Sequence, residues 1–209
     1  MKQLLAEMVR FFEGWVVNDG VGGERLRPFL DELQAIEEET AVRSHVPPTL
    51  EHTHAQSVAQ PTVPHCEGLV GLLREGYQEL WWETASPDYV SSGFASGFAF
   101  VQLVGPPEDV VDGVPFPSET IAAGFSIQAP NLVYPPHYHK AIEYYCVLTG
   151  NALWQLGDAP PAIQPPGSYI FHDQDVPHAM ETSEEPLLTV WGWMGDLHSP
   201  IIMPAQNWL

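Results

Sequence analysis

The sequence predicts a mainly β fold, a barrel or sandwich of many short strands preceded by an N-terminal helical region. Three observations carry that expectation. Beyond Trp82 the chain breaks into short β-type runs punctuated by Gly and Pro, with no helical pattern between them. Before that point the apolar residues recur at helical spacing. With 209 residues, 44% of them apolar, the chain can build one well-packed core and an appendage but not two full-sized domains. The division expected is a helical region with a Pro-rich loop over residues 1–82 and a β-barrel domain over residues 83–209.

Leu4, Leu5, Met8, Phe11, Phe12, Trp15 and Val16 define the first amphipathic helix, which should stop at Asn18-Asp19-Gly20. A second helical pattern, Leu26, Phe29, Leu30, Leu33 and Ile36, begins beside Pro28. From Ser44 to Pro64 the chain is rich in Pro, Thr, His and Gln without periodicity and reads as a loop, and a third helix is expected over Cys66 to Leu80. The β-type runs that follow are Phe94 to Val104, Thr120 to Ala129, Glu143 to Leu148, Ala152 to Leu156, Ser168 to Phe171 and Leu187 to Trp193.

Charge narrows the partners. Acidic residues number 27 against 7 basic ones, a formal net charge of −20, and Lys140 is the only basic residue beyond position 75. Such a field disfavours nucleic acid and other polyanions and favours cationic or zwitterionic small molecules, although solubility alone would also account for it. No apolar run reaches the length of a membrane span, and the N-terminal segment lacks the basic start and small-residue cleavage site of a signal peptide. A soluble, cytoplasmic protein without membrane association is expected. Cys66 and Cys146 lie far apart and outside any Cys-x-x-Cys pair, so buried free thiols are expected.

The chemistry concentrates in His137-Tyr138-His139-Lys140-Ala141-Ile142-Glu143, just ahead of a β-run. Side chains two apart on a strand share a face, so His137 and His139 can converge on one point, and Glu143 can join them. Downstream, a strand and the turn Asp173-Gln174-Asp175 lead to Pro177-His178, a fourth ligand from a separate strand. Three His and one carboxylate suit one divalent metal ion, Fe(II), Zn, Mn, Ni or Co, and leave coordination positions open. Glu51-His52-Thr53-His54, with His45 and His65, lies in the Pro-rich segment and reads as loop histidine. His172 falls ahead of the expected Pro-His and reads as a neighbour of the site or an exposed residue.

The pattern His-x-His-x3-Glu-x6-Gly, closing at Gly150, followed by Pro165-Pro166-Gly167 and Pro177-His178, resembles the paired motifs of the cupin superfamily. That resemblance implies a double-stranded β-helix (jelly-roll) barrel. A narrower one, over residues 80–205, is to the cupin dimethylsulfoniopropionate (DMSP) lyases. It is carried by Tyr134-Pro135-Pro136-His137, His139, Ala141, Glu143, Tyr145, Trp154 beyond Gly150, and Trp191-Gly192-Trp193-Met194-Gly195-Asp196, and the helical leader is similar too. It implies cleavage of DMSP to acrylate and dimethyl sulfide, with the metal binding the substrate, Tyr145 as the base and Tyr134 as a second tyrosine of the site. Where that family commonly has Pro and an acidic residue, this chain has Lys140 and Ile142.

The residues support this chemistry on their own terms. Tyr145 follows Glu143 by two and so shares its face of the strand, while Pro135-Pro136 interrupts regular pairing and lets Tyr134 face inward. A divalent cation beside a phenol favours the phenolate. Trp154, Trp191 and Trp193 offer a substrate-binding wall tolerant of a cation. Two other classes share the scaffold: a cupin dioxygenase or isomerase acting on another small carboxylate, and a non-enzymatic small-ligand-binding cupin. The paired tyrosines favour the lyase. The helical leader is a candidate lid or homodimer surface.

Overall fold

The structure is a computed structural model that describes residues 1–18, 21–85, 92–110 and 113–203. Four helices open the chain: α1 (Lys2–Asn18), α2 (Val21–Gln34), α3 (Glu51–Ala59) and α4 (Glu67–Gly76). The short strand β1 (Glu83–Thr84) and helix α5 (Ser92–Gly97) lead into β2 (Phe98–Gly105), β3 (Phe116–Pro117), β4 (Ile121–Gln128), β5 (Val133–His137) and β6 (Ile142–Thr149). The remaining strands are β7 (Ala152–Leu156), β8 (Ala162–Gln164), β9 (Tyr169–His172), β10 (His178–Thr182) and β11 (Leu187–Met194). They form two sheets, ordered β1-β2-β4-β11-β6-β9, with β3 beside β2, and β5-β10-β7-β8.

The two faces of the larger sheet do different work. Alternation along β6 turns Tyr145 and Val147 toward the smaller sheet, where they join Tyr134, Trp154, Met180 and Trp191 in an inner apolar cluster. Tyr144, Cys146 and Leu148 point the other way, into a larger cluster shared with α1, α2 and α4. The apolar stripe predicted for α1 is the face that packs there: Trp15 stacks on Tyr169 at 4.1 Å, and Phe12 meets Phe29 of α2 edge-on at 5.0 Å. Phe29 also sits against Gly192 of β11, where an added Cβ would come within 2.5 Å of its ring. Gly150, the closing glycine of the first motif, has φ +75°, and a Cβ there would lie 2.1 Å from the carbonyl oxygen of Pro186.

Several expectations require correction. The segment read as a loop contains α3, whose buried face is mostly polar, Thr53, His54, Ser57 and Val58, so no apolar periodicity announces it. Helix α2 starts at Val21, not beside Pro28, which lies inside it. α1 ends at Asn18 as predicted, and Asp19 and Gly20 of the stop signal lie outside the described residues. The run from Phe94 begins as helix α5 and becomes a strand only at Phe98. Pro135-Pro136 does interrupt regular pairing, as expected: β5 runs on through both prolines as an edge strand, but its register with β10 shifts between the His137–His178 and Tyr134–Met180 pairs, and Tyr134 is buried. Cys66 and Cys146 are free and buried, as expected, but the fold brings them together with His65, their ligand atoms lying within 4.8 Å of one another. Among the described residues no helix is long and apolar enough to cross a membrane.

Candidate metal centre

Strand register assembles the centre. His178 at the start of β10 is the cross-strand partner of His137 at the end of β5, and their rings meet edge to face at 4.1 Å. Glu143 on β6 lies between Trp193 on β11 and His172 on β9. His139 follows β5, its ring 4.3 Å from that of Trp193. The ligand atoms of His139, Glu143 and His178 all lie within 4.8 Å of one another, and all three residues are buried. His137 lines the same cavity as Glu143.

The imidazoles are set in one tautomer. Nδ1 of His137, His139 and His178 faces the backbone carbonyls of Pro135, Ala141 and Val176 at 2.9, 2.9 and 3.0 Å. A carbonyl only accepts, so each Nδ1 carries a proton, and each Nε2 offers a lone pair when its ring is neutral. Nε2 of His139 and of His178 is buried without a hydrogen-bond partner, 3.4 and 3.3 Å from Oε2 of Glu143. Lone pairs aimed at a carboxylate oxygen with no donor between them are what a divalent cation would complete, so these residues fit the metal that the two motifs imply.

The side chains polarise one another strongly. Burial works against ionising Glu143, yet the charge of His139 and the hydrogen bonds around the carboxylate hold it well below the usual range. Burial lowers His139, but the Glu143 carboxylate more than offsets this and raises it overall. Burial, then His178, keeps His137 well below its ordinary value. Burial, reinforced by Glu143, pushes both Tyr145 and Tyr134 up.

A cavity of about 500 Å³ opens onto the centre. Tyr145, Trp191 and Trp193 line it, as does Tyr134, whose ring stacks on His137 at 4.0 Å. Phe94 and Phe98, 5.0 Å apart, extend this wall and pack against Tyr134 at 4.6 and 4.9 Å. Their i, i+4 spacing, a helical signal at the head of an apparent strand, is what could have marked them. Trp154, expected in the wall, stands behind Tyr145 at 5.2 Å between ring centres and is not among the lining residues. Its Nε1 donates to Nε2 of His172 at 3.0 Å. His172 is not exposed: it is fully buried, with Nδ1 2.6 Å from Oε2 of Glu143. His54, read from the sequence as a loop histidine, is instead buried on α3 and stacked on Tyr77 at 3.6 Å.

A family model described as dimethylsulfoniopropionate lyase matches residues 24–189. The chain is 32% identical over 132 residues to dimethylsulfoniopropionate lyase DddQ of Ruegeria pomeroyi, a match covering 63% of each protein. It is 29% identical over 130 residues to the putative dimethylsulfoniopropionate lyase DddL of Cereibacter sphaeroides, covering 62% of this chain and 52% of that one. The chain thus spans less than two thirds of the length of either curated relative. The crystal structure of the DMSP lyase DddQ from R. pomeroyi superposes with a TM-score of 0.74 at 23% identity, over 94% of this chain and 98% of that one. A chain from the crystal structures of the DMSP lyases RdDddP and RnDddQII gives 0.70 at 23% identity, over 97% and 98%. Those superpositions bear on the fold.

Proposed function

Because the chain belongs to the dimethylsulfoniopropionate lyase family, with its cupin β-barrel, we propose that it cleaves DMSP, or a close sulfonium carboxylate, to acrylate and dimethyl sulfide by β-elimination. One observation carries this reading. Tyr145, Tyr134, His137 and Glu143 open onto a single cavity of about 500 Å³ whose remaining wall is largely aromatic. A zwitterion has a place for each of its ends there.

His137, His139, Glu143 and His178 would hold one divalent ion, which supplies positive charge to bind the substrate carboxylate, to steady the negative charge developing at its α-carbon and to favour the phenolate of Tyr145. Tyr145 acts as the base, because it stands on the same inner face of β6 as Glu143 and faces the cavity. It takes the α-proton; the electron pair of the broken C–H bond becomes the double bond of acrylate, and the β-carbon–sulfur bond breaks with its pair on sulfur. Dimethyl sulfide departs neutral and needs no acid. Tyr134, stacked on His137, bounds the substrate on the β5 side. Trp191, Trp193, Phe94 and Phe98 offer faces to the sulfonium, each good contact contributing about 0.5 to 2 kcal/mol. They also keep water from the carbanionic centre.

The test is headspace detection of dimethyl sulfide from purified protein supplied with DMSP under anaerobic conditions, with zinc as the added ion. Elimination is redox-neutral, so turnover is expected without oxygen and with a redox-inert metal. Strictly oxygen-dependent turnover, or products that keep the carbon–sulfur bond, would point to the dioxygenase class and overturn the lyase.

A further inference from the structure

Glu143 receives an N–H from the strand on each side. On β11, Trp193 Nε1 donates to Oε1; on β9, His172 Nδ1 faces Oε2 at 2.6 Å. The second contact has its direction fixed from behind. An indole N–H can only donate, so the 3.0 Å bond from Trp154 Nε1 makes Nε2 of His172 the acceptor. The ring proton must then sit on Nδ1 and be given to the carboxylate. The imidazole of His172 is thereby fully satisfied at 0% exposure, whereas the equally hidden His54 has neither ring nitrogen partnered.

We propose that His172, with its tautomer set by Trp154, is a positioning residue for Glu143. It aims the remaining lone pair of Oε2 at Nε2 of His139 and His178, and so sets the affinity of the centre for a divalent ion. A carboxylate held on one oxygen alone can turn about its last torsion and withdraw the other; held on both, it presents one defined site. No water replaces the His172 N–H at a position closed to solvent. The ring adds a second constraint by stacking on His178 at 3.8 Å and 24°, which restrains that ligand from turning. The signal lies in the cross-strand pairing of Glu143 with His172, and in the placement of Trp154 on β7 of the opposite sheet.

This inference rests on the reading of His137, His139, Glu143 and His178 as a metal site, and its test reads metal, not turnover. Zinc affinity is measured by competition with a chromogenic chelator for the wild-type chain, His172→Phe, His172→Asn and Trp154→Phe, with folding checked by near-ultraviolet circular dichroism. His172→Phe, which keeps ring volume but has no N–H, is expected to bind zinc about 10 to 100 times more weakly. His172→Asn, which restores a donor near Nδ1, should recover part of that loss, and Trp154→Phe, which frees the tautomer, should lose several-fold. A merely structural role would lower thermal stability and leave zinc affinity at the wild-type value. Affinity within twofold of wild type in folded His172→Phe overturns the proposal. Should that variant not fold, unchanged affinity in Trp154→Phe does so instead. A wild-type chain that takes up no zinc would overturn the metal reading beneath it, a result distinct from the other two.

Discussion

His137 and His178 face each other across the β5–β10 ladder, so the histidine of each motif is held in place by the strand that carries the other. Neither position can move without the partner strand. We expect one divalent ion per chain, and a fall to a small fraction of that in His139→Ala and in His178→Ala, by elemental analysis of the purified proteins. Undiminished metal in either variant removes that residue from the ligand set.

Tyr145→Phe deletes a hydroxyl and keeps the ring that packs on Trp154 at 5.2 Å. Fold and metal content should match the wild type while kcat falls by roughly 10² to 10⁴, the usual contribution of a general base. A larger loss would mean that the hydroxyl also positions substrate. Near-normal turnover in a correctly metallated variant would take Tyr145 out of the mechanism.

The seat of Phe29 on Gly192 makes a different prediction. A Cβ at Gly192 would stand 2.5 Å from that ring, so Gly192→Ala must push α2 off the outer face of the sheet. Overpacking of this kind costs about 1 to 3 kcal/mol, measurable by urea unfolding. Because the side chain would point outward, the folded fraction should keep near wild-type kcat.

Acid should find His54. Burial lowers its pKa to about 4 from an ordinary 6.5, so the unfolded chain binds the proton more readily across that interval. Stability is therefore full above pH 6.5 and is lost as the pH falls toward 4. At pH 5 the loss from this one group is roughly 2 kcal/mol. His54→Phe, which keeps the stack on Tyr77, should show a shallower decline between pH 7 and pH 5. Some slope will persist, because burial lowers His172 to about 4 as well. Identical declines in the two proteins would assign the acid sensitivity elsewhere.

What could be read beforehand follows from which physics leaves a one-dimensional trace. β6 was legible because alternation along one strand puts Glu143 and Tyr145 on one face, and that needs no knowledge of neighbours. α1 was legible because its buried face is apolar throughout. α3 was not, since its hidden side includes Thr53, His54 and Ser57 and it opens after Pro47 and Pro48, so composition spoke for a loop. The bond between Glu143 and His172, the seat of Trp154 behind Tyr145 and the meeting of Cys66 with Cys146 depend on register and layer packing between distant segments. Spacing within a motif carries no record of those.

The double burial of β6 has a consequence for how this protein can change. Glu143 and Tyr145 answer to the cavity and Val147 to the inner apolar cluster, while the even-numbered positions from Tyr144 to Leu148 answer to the helices. Parity along one strand therefore separates two selective pressures. A deep mutational scan of this strand should sort accordingly, with substitutions at Tyr144, Cys146 and Leu148 lowering abundance and those at Glu143 and Tyr145 sparing abundance but abolishing product. Laboratory evolution toward a bulkier sulfonium would therefore leave this strand alone and act on lining residues outside it, such as Phe94 and Phe98.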